Sequence, residues 1–298
     1  MMPQDSRLTP DLLARFERAL GQPLTILNVV RRGYTPALRL RARLQDGNTV
    51  FIKCATTSLT AEGLRKEYAV YTALDAPFVC RLIAWEDTGE SPFLVLEDLS
   101  QADWPPPWTT HQIDLVRDML VRLASFRLPG LLPLEDNAAF TDGWQEVAAD
   151  PEAFLGLKIA SRGWLERAMP SLLAVDGKQV LHGEALIHCD VRSDNLCFLG
   201  DRVILVDWNL TCQGHPSADL AFWLPSLETE GGPAPETILP QGAPFAAVLS
   251  GYFASRAGRP ILPDAPLVRK VQLEQLHSAL PWAVRALGQP PLDGPRAT

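Results

Sequence analysis

The chain has 298 residues, 47% of them hydrophobic, and a formal charge of -8, enough length for one large core or two modest ones and read here as two lobes. The acidity argues against a general nucleic-acid binder, which needs a basic surface to neutralise phosphates, and no apolar run approaches the about 18 residues of a membrane span. Asp5, Arg7 and Asp11 interrupt any leader-like run, and five cysteines without a Cys-x-x-Cys pair argue against zinc or a disulfide framework and for the cytoplasm.

Thr9-Pro10-Asp11 ahead of Leu12, Leu13, Phe16 and Leu20 predicts an N-capped amphipathic helix stopped by Gly21 and Pro23. Leu24 to Val30 reads as a strand. Leu38, Leu40, Ala42 and Leu44 then alternate with Arg39, Arg41 and Arg43, which places the three arginines on one face of a half-exposed strand. Asp46-Gly47 is a hairpin signal and Thr49 to Cys54 the returning strand.

Thr60 is read as the cap of the next helix, with Leu64, Tyr68, Tyr71 and Leu74 on one arc. Glu67 falls inside that arc and Glu62 opposite it. A carboxylate on a buried face needs a partner. Lys53, in the returning strand, is the natural one.

Val79 to Trp85 and Phe93 to Glu97 read as two strands joined by Asp87-Thr88-Gly89. The proline run within Gln101 to Thr110 is a stiff connector, with a ligand for another domain as the alternative. Ile113, Val116, Leu120, Leu123 and Phe126 mark a helix. Pro129 to Gly183 reads as mostly helical, with breaks at Asp150-Pro151, Pro170 and Asp176-Gly177.

The polar stretch His188-Cys189-Asp190-Val191-Arg192-Ser193-Asp194-Asn195 follows an apolar run, and Val203 to Val206 then ends in Asp207. The pattern His-x-Asp-x-x-x-x-Asn, followed by a strand ending in Asp, fits phosphoryl transfer from a nucleoside triphosphate. That chemistry needs a carboxylate to take the hydroxyl proton and oxygen ligands for magnesium. Asp190 suits the first task; Asn195 and Asp207 suit the second. His188 is read as a structural support. Arg192 either neutralises the transferring phosphate or forms a surface salt bridge, and Asp194 faces solvent or caps.

On His188, Asp190, Asn195 and Asp207, the chain resembles the aminoglycoside phosphotransferase family of small-molecule kinases. The resemblance implies a two-lobed, protein-kinase-like α+β fold. Residues 1–98 would form a small lobe with an antiparallel sheet, and residues 99–298 a larger, mainly helical lobe. It also implies that Lys53, oriented by Glu67, contacts the α/β-phosphates, and that the main chain of Glu97-Asp98-Leu99 contacts adenine. A phosphate-covering loop should lie at Arg31-Arg32-Gly33-Tyr34-Thr35, where Gly33 is its one glycine. Gly214 to Ala221 matches a further family segment, in which Asp219 anchors the catalytic loop through backbone hydrogen bonds; a helix cap alone would also explain it. Two departures stand near the chemistry: Cys189 where glycine is common, and Asn209 where an acid is frequent.

Gly231 to Pro244 reads as a loop, followed by helices around Ala246 to Ala257 and Pro266 to Leu287. Glu228, Glu230, Glu236, Asp264 and Glu274 are candidate amine contacts. Acidic residues also outnumber basic ones between Gly130 and Gly200. This excess favours a cationic acceptor if it lines the cleft; solvated helix faces are its alternative source.

The implied activity is ATP- and Mg²⁺-dependent phosphorylation of a small-molecule hydroxyl, with another nucleoside triphosphate as an alternative donor. The acceptor is an aminoglycoside-like antibiotic or an amino alcohol, sugar or related metabolite. A non-catalytic nucleotide-binding regulator is the reading from another class. Neither nucleic acid nor membrane is an expected partner.

Overall fold

The computed structural model describes residues 5–31, 33, 35–263 and 265–294. Arg32, Tyr34 and Asp264, which figured in the expected phosphate loop and among the amine contacts, lie outside the described residues. The chain divides into two compact units, one made of residues 1–104 and 195–210, the other of residues 105–194 and 211–298. Among the described residues, no helix is long and apolar enough to cross a membrane, and the five cysteines are free.

The first unit is built on a five-stranded antiparallel sheet. Its strands are β1 (Leu24–Val29), β2 (Leu38–Leu44), β3 (Thr49–Cys54), β4 (Leu82–Glu86) and β5 (Phe93–Glu97), in the order β1-β2-β3-β5-β4. Helix α1 (Pro10–Leu20) starts at Thr9, whose hydroxyl accepts from Leu12 N, and ends at a left-handed Gly21. It buries Leu12 and Phe16 against Leu38, Leu40, Ala42, Ile52 and Phe93. Each such large side chain contributes about 1.5–3 kcal/mol when fully buried.

The N-cap of helix α2 (Ser58–Ala73) lies three residues before the expected one. Thr57 is the N-cap, and Thr60 occupies the third helical position of a reciprocal capping box, its hydroxyl accepting from Thr57 N at 2.9 Å. Two threonines at this spacing satisfy each other's exposed amides, so the more N-terminal one defines the start. Strand β4 starts at Leu82 rather than Val79, because Val79 bridges instead to Leu205.

The segment from Asn195 to Leu210 belongs to the first unit, which differs from a boundary after Asp98. It folds as a hairpin of β7 (Leu196–Leu199) and β8 (Arg202–Leu205). Phe198 and Asp103 exchange backbone hydrogen bonds at 2.9 Å, and Leu205 N donates to Phe78 O at 2.9 Å. Arg202 adds bonds to Pro77 O at 2.7 Å and Val79 O at 3.1 Å. Such long-range pairing leaves no mark in local sequence.

The second unit is mainly helical. It contains α3 (Thr110–Leu123), α4 (Ala138–Thr141), α5 (Gly143–Ala149), α6 (Glu152–Leu155), α7 (Arg162–Leu173), α8 (Gly177–Leu181), α9 (Ala218–Thr229), α10 (Pro235–Ile238), α11 (Ala243–Ala257) and α12 (Val268–Ala286). A short antiparallel pair, β6 (Ala185–Ile187) with β9 (Cys212–Gly214), sits among them. Pro170 lies inside α7 and does not break it. Proline removes one backbone donor there, but Trp164, Leu165, Ala168 and Leu172 remain buried on either side of that position. The 231–244 segment is not all loop, since α10 lies within it and α11 begins at Ala243.

Candidate functional site

The site residues of the first unit gather on the sheet face opposite α1. Period-two alternation turns the apolar residues of β2 toward α1, leaving Arg39, Arg41 and the neighbouring-strand Lys53 on the other face. Lys53 is buried, and its Nζ donates to Glu67 Oε1 at 2.5 Å and to Asp207 Oδ1 at 2.9 Å. Glu67 is 1% exposed, whereas Glu62 faces solvent. Burial pulls the Lys53 ammonium down, but the charges of Asp207 and Glu67 outweigh it and hold it above its ordinary value. Burial likewise pushes the Glu67 carboxyl up to about 7 against the pull of Lys53.

Asp207 follows β8 in a left-handed backbone conformation, φ 69°, which is costly for a residue with a Cβ. Trp208 next to it is fully buried and donates its indole N–H to Leu205 O at 3.1 Å. At the same open end of the hairpin, just before β7, buried Asn195 accepts through its backbone carbonyl from Val206 N at 3.0 Å. The structure thus brings Lys53, Glu67 and Asp207 into one cluster, with Asn195 at the same open hairpin end as Asp207.

Gly33, with φ +102°, is exposed before β2; a Cβ there would lie 2.7 Å from the Arg39 guanidinium. The side chains of the Glu97-Asp98-Leu99 segment turn into the protein. Glu97 Oε1 accepts from Arg81 N at 2.9 Å and Arg202 at 3.1 Å. Asp98 pairs with Arg41 at 2.5 Å, and Leu99 O accepts from Ala102 N at 3.1 Å and Trp104 Nε1 at 3.2 Å. Arg39 is the residue that alternation misplaced: it is 8% exposed rather than half-exposed. The hairpin signal could have found it, since the turn at Asp46-Gly47 sets Arg39 opposite Lys53.

In the second unit, β6 delivers the polar loop. His188 is fully buried, and its Nδ1 accepts from Asp190 N at 3.3 Å. Asp219, in the first turn of α9, accepts from His188 N at 2.7 Å and Cys189 N at 2.8 Å. Asp190 is half-buried, with Arg192 Nε 3.3 Å from its Oδ1 and the same guanidinium 2.7 Å from Asp194. Arg192 therefore forms ion pairs inside the loop and is largely covered, not a surface residue. Sequence reading also missed Ser193 and Trp108, which donate to the two oxygens of Glu230 at 2.6 and 2.7 Å; no local pattern links the three.

Burial pushes Asp219 up to about 7, against the lowering by the two amides. The folded chain then keeps a proton that the unfolded chain releases near the ordinary value of 3.8. Its stabilising contribution is full below that value and lost as pH rises through about 7. Urea midpoints should therefore decline between pH 5 and pH 8, and Asp219→Asn should flatten the decline. An unchanged slope in the variant would remove Asp219 as its source.

Cys189 has φ 68°, a conformation glycine adopts without strain, which gives a physical reason for glycine at this place. Cys189→Gly is expected to leave stability within about 1 kcal/mol, relieved strain offsetting lost packing, whereas Cys189→Val should cost about 1–3 kcal/mol. Equal losses in thermal melts of the two variants would mean that thiol packing, not backbone geometry, decides this position.

The profile of the phosphotransferase enzyme family matches residues 30–246. Among solved structures, the apoenzyme of a macrolide 2′-phosphotransferase from Brachybacterium faecium is similar at 19% identity, covering 97% of this chain and 99% of its own, with a TM-score of 0.54. A macrolide 2′-phosphotransferase type I is similar at 15% identity over 94% of this chain and 97% of its own, TM-score 0.51. An amicoumacin kinase in complex with AMP-PNP and Ca²⁺ is similar at 12% identity over 95% and 93%, TM-score 0.50. At these identities the likeness shows the fold, which is the expected kinase-like α+β class. No curated protein sequence matches the chain.

Proposed function

The chain belongs to the phosphotransferase enzyme family, and from that premise we propose that it transfers the terminal phosphoryl group of ATP to a hydroxyl of a small molecule. The observation that carries the reading is Lys53, held between Glu67 and Asp207 on a buried sheet face. A buried ammonium tied to two carboxylates is a fixed positive point for phosphate oxygens.

Asn195 and Asp207 are the residues that would hold magnesium. Among the described residues no group of three or more His, Cys, Asp or Glu side chains gathers as a metal cage. An amide oxygen and one carboxylate suit magnesium, which takes a few protein ligands and fills its remaining positions with phosphate and water. Bound there, the metal would neutralise charge on the phosphates.

Asp190 takes the proton of the acceptor hydroxyl as that oxygen bonds the γ-phosphorus. The bond to the β–γ bridging oxygen breaks, and ADP leaves with its electrons. Arg192, ion-paired with Asp190 at 3.3 Å, supplies positive charge beside the carboxylate. The main chain at Glu97-Asp98-Leu99 is assigned to adenine, the Gly33 loop to the phosphates, and the compartment to the cytoplasm.

Glu228 and Glu236 are paired to Arg285, and Glu274 to Lys270, which argues against these three as amine contacts. Glu230 is bonded only to neutral donors among the described residues and reaches the catalytic loop through Ser193. An amine-bearing acceptor is therefore a second reading, resting on Glu230.

The test is magnesium-dependent ATP consumption against macrolide, aminoglycoside, amino-alcohol and sugar panels, with phosphorylated product identified by mass. Product on one panel would name the acceptor class. Failure to bind ATP with magnesium would overturn the reading.

A further inference from the structure

Arg39 is a buried cation that the chemistry described so far does not use. Its guanidinium makes three hydrogen bonds, all to neutral acceptors: Thr35 O at 3.0 Å, Ala37 O at 3.1 Å and Thr35 Oγ1 at 2.9 Å. No carboxylate among the described residues is bonded to it. Glu67 and Asp207, the acids near enough to support its charge through space, are already taken by Lys53. Burying an ionised group without a directly bonded counter-charge is costly, and a neutral donor could tie down the same loop carbonyls.

Three placements say what would neutralise it. Arg39 is the cross-strand register partner of Lys53, so the two cations stand side by side on one sheet face, an arrangement that is unfavourable without an anion. The guanidinium lies directly against Gly33, where a Cβ would come within 2.7 Å of it. Its bonds to Thr35 and Ala37 fix it to the segment that leads into β2. A planar fork with donors left over is suited to a phosphate.

We propose that Arg39 binds the triphosphate of the nucleotide beside Lys53, doing with a guanidinium what a glycine-rich loop does with backbone amides. The inference rests on the ATP-dependent reading above. It explains how a loop with one glycine can hold phosphates: the charge comes from the strand beneath, and Gly33 leaves room for it.

The experiment measures dissociation constants of magnesium ATP and of adenosine for the wild type, Arg39→Gln and Arg39→Lys. Arg39→Gln should lose ATP affinity by about 10- to 100-fold, the size of a hydrogen bond to a charged group, with adenosine affinity unchanged. Arg39→Lys keeps the charge but not the fork, so the ratio of ATP to adenosine affinity should fall by about threefold to tenfold. This variant decides the matter if Arg39→Gln does not fold. An unchanged ratio in the folded variants would overturn the proposal, because a purely structural arginine would weaken both ligands together. Wild type that binds neither ligand would instead overturn the ATP reading itself.

Discussion

Asp190→Asn is expected to lower turnover by about 10²- to 10⁴-fold, the usual worth of a positioned general base, with ATP affinity within about twofold of wild type. The exchange keeps side-chain shape and removes the charge and the basicity. Its consequences for the loop are small, because the loop is held elsewhere. Asp219 accepts the amides of His188 and Cys189, Ser193 bonds Glu230, and Arg192 retains Asp194 at 2.7 Å. Asp194→Asn is the control, since Asp194 is exposed and shares the same arginine; it should change turnover by less than about threefold, the worth of a surface pair. Turnover in Asp190→Asn that matches the control would dismiss Asp190 as the base.

Much of this site could be read from local pattern, for a definable reason. Helical periodicity chose Glu67 over Glu62, and a carboxylate on a buried arc had few partners open to it, so Lys53 followed. The spacing from His188 to Asn195 was informative because one short loop carries all its side chains. What stayed hidden depends on long-range packing. Period two assigned Arg39, Arg41 and Arg43 to one face without saying that this face is covered at Arg39 and open at Arg43. The attachment of Asn195 to Leu210 to the first unit rests on bonds to Phe78, Val79 and Asp103, residues more than ninety positions away. The pairing of Glu228 and Glu236 with Arg285 likewise crosses from one helix to another, and no spacing rule connects them.

Lys53→Met should lower kcat/KM for ATP by about 10²- to 10³-fold, comparable to the loss of one preorganised electrostatic donor. Its effect on stability should depend on pH. Glu67 is 1% exposed and sits at about 7 even with the ammonium 2.5 Å away. Removing that cation drives the carboxyl further up, so Glu67 holds its proton at pH 6 and the variant remains folded with a modest loss. The proton's contribution is complete below the ordinary value of 4.5 and disappears as pH rises through the elevated one, so the deficit relative to wild type should grow between pH 6 and pH 9. The reverse deletion is asymmetric. Glu67→Gln leaves Lys53 bonded to Asp207 at 2.9 Å, so charge remains at the phosphate position and only its orientation relaxes. Its kcat/KM should therefore fall less than that of Lys53→Met. If Glu67→Gln proves as damaging as Lys53→Met, orientation rather than charge limits the reaction; if Lys53→Met turns over normally, this lysine does not serve the transferring phosphate at all.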